Sequence, residues 1–216
     1  MGRARAAVGL VAVVAAGALL VSGGRDADPR TPTGLPGMPP PFLGVAVLGD
    51  GELTAAVDAY GDVVDLRRQL AGRALIENPA DRQAAGSVAP NTGIQVWVRA
   101  GGAAARPLWE ADSIRQRYRP GTNVLLTVAR FGTGRVVVEQ AVHDGKLAVV
   151  AGGDAAEVEL RANEGGGELT RSSSVLVEAA AADRRWLSRA RPLGPGAPAW
   201  ARRMYERSLL VLHALT

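Results

Sequence analysis

From position 42 onward, short apolar runs alternate with turn-forming residues, and within several runs apolar and polar positions alternate with a period of two. Phe42–Leu48 predicts a strand, Gly49-Asp50-Gly51 a hairpin turn, and Glu52–Asp58 the returning strand. Ala59-Tyr60-Gly61-Asp62 turns the chain again into Val63–Arg67, a meander too tight for helical crossovers. Residues 68–93 are less regular, and Asn78–Gln83 reads as an ordered loop. Ile94–Ala100 sets Ile94, Val96 and Val98 against Gln95, Trp97 and Arg99, as a half-buried strand would. Ser113–Arg119, Thr122–Phe131, Arg135–Val142, Lys146–Ala151, Ala156–Ala162 and Glu168–Val177 complete a set of roughly ten strands, the pattern of a large sandwich.

The two ends differ from this body. Arg3 and Arg5 precede the uncharged run Ala6–Val21, the layout of a secretory signal or an uncleaved membrane anchor. The proline-rich stretch 25–41 has no apolar periodicity and reads as a spacer. At the other end, Glu178–Arg189 is alanine-rich and helical, and Pro192 to Gly196 break it. Pro198 suits the first turn of a second, amphipathic helix. Its apolar face carries Trp200, Met204, Leu209, Leu212 and Leu215. The expected organisation is a signal peptide or anchor over 1–24, a spacer over 25–41, a β-sandwich over 42–177 and helices over 178–216. The fold class is mainly β: a large antiparallel β-sandwich, or super-sandwich, with a C-terminal helical linker.

The net charge is +4, but it is uneven. Residues 184–216 hold seven arginines and one acid, Glu206, while the body before them is net acidic. A basic nucleic-acid face on the sandwich is therefore not expected. With no cysteine in the chain, disulfides and thiolate chemistry are excluded. No metal site or cofactor is expected either. Asp58, Asp62 and Asp65 lie in or beside a hairpin, and their spacing suits turn formation better than calcium ligation. Glu157 and Glu159 share a strand face and read as a solvated face rather than an acid–base pair. His143 and His213 lack the partners of a triad or metal site. Arg115, Arg117 and Arg119 share a strand face and require acids on a neighbouring strand or on a neighbouring domain. Trp97 and Trp109 are aromatic enough to stack on sugar rings, or else to fill the sandwich.

One stretch is more specific. Gln116-Arg117-Tyr118-Arg119-Pro120-Gly121-Thr122-Asn123-Val124-Leu125 resembles the strand–turn–strand in the middle of the N-terminal domain of glycoside hydrolase family 15, the bacterial glucoamylases and trehalase-like enzymes. The opening, Leu43-Gly44 through Leu66, is similar to the meander that begins that domain, and Trp200 through Thr216 is similar to its connector and first barrel helix. The resemblance implies the N-terminal β-sandwich of an inverting α-glucosidase whose two catalytic glutamates sit on an (α/α)6 barrel. No stretch of the chain matches the motifs that carry them, so the chain alone is expected to be inactive and to have no catalytic residue of its own. Its sugar, an α-glucan or trehalose, is then reached through the barrel, and a membrane only through the N-terminal segment. An exported protein, secreted or held at the outer face of the cytoplasmic membrane, is expected. Asn78, Arg82, Gln83 and Trp109 are candidates to border the substrate or touch the barrel, and Trp200, Met204, Leu209 and Leu212 to pack between domains. The alternative is a stand-alone carbohydrate-binding or structural cell-envelope sandwich.

Overall fold

The computed structural model describes residues 45–69, 72–76, 93–100, 104–153, 156–162 and 166–216. The leader, the spacer and the loop carrying Asn78, Arg82 and Gln83 lie outside the described residues. Among the described residues no helix is long and apolar enough to cross a membrane.

The fold is mainly β, as the alternation predicts: two sheets face each other, and two helices follow. The first sheet begins with the predicted meander, β1 (Val45–Gly49), β2 (Leu53–Asp58) and β3 (Val63–Arg68). Short β4 (Ala74–Ile76) pairs with β3, and β5 (Ile94–Ala100) continues the sheet. β6 (Arg106–Pro107) and β11 (Ala156–Ala162) both pair with β5. The second sheet holds β7 (Ser113–Tyr118), β8 (Leu125–Phe131), β9 (Gly134–His143) and β10 (Lys146–Gly153), paired antiparallel in sequence order. The short β12 (Leu169–Thr170) joins β10 in parallel.

Alternation fixes which side chains meet between the sheets. Leu48, Leu53, Val57, Leu66, Ile94 and Val96 point inward from the first sheet. Ile114, Leu125, Val138 and Leu147 meet them from the second. The opposite face of the second sheet is covered too. Val124, Ala141 and Ala148 lie under Leu176, Ala179 and Ala180 of α1 (Ser173–Arg189). The molecule is thus three layers: sheet, sheet, helix.

The predicted strand Glu168–Val177 is corrected. Only Leu169 and Thr170 pair as a strand, and α1 starts at Ser173, ahead of the expected start at Glu178. The run Val175-Leu176-Val177 has the β-branched look of a strand, but Ser172 stops it from being one. Its hydroxyl oxygen accepts the Ser174 N–H and caps the helix, which then places Leu176, Ala179, Ala180 and Asp183 on one buried face.

The second helix, α2 (Ala199–Leu215), starts directly after Pro198. Its last turn lies on the β1–β2 hairpin. The Gly51 N–H donates to Ala214 O at 3.4 Å. A β-carbon on Gly49 would run into the same Ala214 carbonyl, so glycine is required there for strand and helix to approach. Gly49→Ala should therefore lift α2 from the sandwich. We expect a loss of about 2 kcal/mol in urea denaturation, with trypsin cutting at the arginines of α2 while the sheets stay intact. An unchanged midpoint and cleavage pattern would refute the close approach.

Candidate functional site

The motif at 116–125 lies where the sandwich meets both helices. β7 ends at Tyr118, and Pro120 and Gly121 turn the chain, Gly121 with φ +66°. Thr122 locks this turn: its hydroxyl donates to Arg119 O at 3.0 Å and accepts the Val124 N–H at 3.1 Å. The turn presents Asn123 to the helices. The Asn123 N–H donates to Asp183 Oδ2 at 2.6 Å, and its Nδ2 donates to Asp183 Oδ1 at 3.1 Å and to Leu210 O at 2.9 Å. Arg207 of α2 donates to Asn123 Oδ1 at 2.7 Å and to Thr122 O at 3.4 Å. One residue, Asn123, thus ties the second sheet to α1 and α2.

Arg207 also lies over the Tyr118 ring, 3.6 Å from its centroid. The Tyr118 hydroxyl accepts from Val47 N at 2.9 Å and donates to Val47 O at 3.0 Å, which joins β7 to β1. Burial raises the Tyr118 phenol and the Asp183 carboxyl above their usual pKa and lowers the Arg207 guanidinium below its own. The helices are held to each other as well. Trp186 donates its ring N–H to Leu209 O at 3.1 Å and stacks on His213 with centroids 4.7 Å apart.

This clamp decides which side of α2 faces outward. Leu210 and Ala214 are buried with the partly buried Arg207 beside them. Trp200, Met204 and Leu212 remain 60%, 41% and 49% exposed, and Leu209 is half-buried. The three exposed residues span about 18 Å of helix at 1.5 Å per residue and about 120° of its circumference. The exposed Arg202 and Arg203 stand on the same helix.

The other candidates are dispersed. Trp109 is 7% exposed in the core, with its ring edge-on to Trp97 at 6.0 Å. Arg161 lies over one face of the Trp97 ring at 3.7 Å, and Trp109 is enclosed in the core. Glu157 is exposed, and Glu159 pairs with its neighbour Arg161 at 3.0 Å. Arg119 reaches Glu139 on β9, across the intervening strand β8. Among the described residues no cluster of His, Asp or Glu is able to hold a metal ion. No family model matches the chain, and no curated protein or solved structure matches it either.

Asp183 and Arg207 are 24 positions apart and far from Asn123, so no local spacing announces their contact. The sequence signal for it is the motif itself, in which Gln116 and Tyr118 alternate with three arginines and therefore face the other way. Asp183→Ala leaves two donors of Asn123 buried without an acceptor. We expect it to cost about 3 kcal/mol in urea denaturation. Asp183→Asn keeps one acceptor and should cost less. Equal losses for the two would contradict the pairing of both Asp183 oxygens with Asn123.

Proposed function

We propose that this chain is the non-catalytic β-sandwich module of a glucoamylase- or trehalase-like glycoside hydrolase, docking through α2 against the (α/α)6 barrel that carries out inverting hydrolysis of α-glucosidic bonds. The observation that carries the reading is the apolar strip Trp200, Met204 and Leu212, left in solvent by a helix whose other side is clamped by buried hydrogen bonds. A helix held in this way presents its outer side in a fixed orientation. Three large apolar side chains on one such arc are costly to leave wet and are covered well by a second helix. The basic character of residues 184–216 adds a charge preference, favouring a partner whose rim is acidic.

Inverting hydrolysis needs two carboxyls about 6.5–9.5 Å apart with room for a water between them. The carboxylates of this sandwich are poorly suited to that work: Asp58 and Asp62 are sealed in the core, and Glu157 and Glu159 stand on an open strand face. The module's contribution is then mechanical. It covers one side of the barrel and steadies the loops around the sugar, where small displacements of catalytic groups cost large rate factors.

The test is reconstitution. The chain is mixed with a separately produced barrel domain of a bacterial family 15 enzyme and followed by size-exclusion chromatography and tryptophan fluorescence. A complex should form, with a blue shift as Trp200 loses water. Trp200→Asp combined with Met204→Asp should weaken it by about tenfold or more. The chain alone should release no glucose from maltose or trehalose. Turnover by the isolated chain, or no association with the barrel, would sink the proposal. Saturable binding of maltooligosaccharides to the isolated chain would favour a carbohydrate-binding domain instead.

A further inference from the structure

The turn between β2 and β3 is folded around two carboxylates, and no cation among the described residues bonds to either. Asp58 is 2% exposed and Asp62 is 3% exposed. Asp58 Oδ1 accepts the Tyr60 and Asp62 N–H groups at 2.8 and 2.9 Å, which makes the turn. Asp62 Oδ1 accepts the Val96 N–H at 3.2 Å, which fastens the turn to β5. Among the described residues, Asp62 Oδ2 is equally buried and receives no donor, and neither does Gln140 Oε1. The Gln140 amide is pinned to the same turn, because its Nε2 donates to Gly61 O at 2.9 Å.

The described neighbours from the packed elements are uncharged. β5 offers the Val96 N–H, and β9 offers Gln140. From β7, Gln116 donates to Asp58 O at 2.9 Å and to the Thr127 hydroxyl of β8 at 3.1 Å. The charge that acts on Asp62 is that of Asp58. Two orphaned acceptors at one turn require a hydrogen, and two buried like charges without a counter-ion require neutralisation. Protons on the two carboxyls supply both and need no space in a packed core.

We propose that Asp58 and Asp62 form a proton-held latch, which seats the β2–β3 turn between the sheets at mildly acidic pH and loosens as its protons pass to bulk water above neutrality. Burial supports this direction, pushing Asp58 from 3.8 up to about 7 and Asp62 well above 3.8. The sign follows by linkage. A carboxyl with a raised folded pKa holds its proton in the folded chain after the unfolded chain has lost it. Its stabilisation is complete below 3.8 and is lost as pH rises through about 7. Each proton held only by the folded chain makes the unfolding constant rise about tenfold per pH unit inside that window.

The test compares the wild-type chain with Asp58→Asn/Asp62→Asn, whose amides mimic the neutral acids. Urea unfolding is measured from about pH 5 to about pH 8. The wild type should lose stability relative to the double variant as pH rises, and exchange of the Tyr60, Asp62 and Val96 amides should accelerate with it. Carboxyl carbon shifts of labelled wild-type protein give a direct reading that does not depend on the variant folding. Both aspartates should titrate well above 3.8. Titration of both at or below that value, or a stability difference flat in pH, would overturn the latch.

Discussion

The hydrogen bonds converging on Asn123 hold the two helices to the sandwich. Apolar contact alone is thin there: α1 offers Leu176 and two alanines, and α2 offers Leu210 and Ala214. Small side chains permit close approach but specify register poorly, because a shift of one residue along the helix costs little buried area. The amide of Asn123 specifies it. Its donors reach Asp183 on α1 and Leu210 on α2 while its oxygen takes the Arg207 guanidinium, and only one placement of the two helices satisfies all of them. The orientation of α2, and with it the exposure of Trp200, Met204 and Leu212, follows from that polar contact.

The described residues contain two buried polar centres, and these solve the problem of burial differently. At Asn123 the carboxylate of Asp183 is compensated by amide donors and by Arg207, itself spread over the Tyr118 ring. Between the sheets, Asp58 and Asp62 have backbone N–H donors and no cation among the described residues, so neutralisation falls to a proton. Strand β7 touches both. Gln116 bonds the Asp58 carbonyl, and two residues on Tyr118 underlies Arg207, on the same strand face. The turn between β2 and β3 and the seat of α2 are therefore mechanically continuous through one strand.

Much of the β architecture is legible in the sequence because alternation is a local signal. The hairpin at Gly49-Asp50-Gly51 and the strands at 94–100 and 156–162 stand where the pattern puts them, whereas the strand expected over 122–131 begins at Leu125 because Thr122 locks the preceding turn. The helix beginning at Ser173 is not legible, since a β-branched run competes with a single serine cap and tertiary packing decides. The docked side of α2 is hidden for another reason. An arginine lies at the edge of the buried face, so a reading that sorts charged from apolar positions assigns Arg207 to solvent. The buried partner, Asn123, is 84 positions away. Asp58 and Asp62 are visible as turn formers, but that both carboxyls are enclosed depends on β5, β7 and β9 closing over them.

The motif over 116–125 and the closing helix from Trp200 are far apart along the chain. They meet at Asn123, Arg207 and Leu210. A motif that only turns the chain needs proline, glycine and threonine, and it places no demand on Tyr118 or Asn123. A motif that seats a helix needs both: an aromatic face for the guanidinium and an amide with donors and an acceptor at once. Burying Asp183 and Arg207 is a costly way to stabilise a fold that already has a core between its sheets, so what the clamp adds is a fixed placement of α2. Trp200, Met204 and Leu212 stay in solvent as a result, on the same helix as the exposed Arg202 and Arg203.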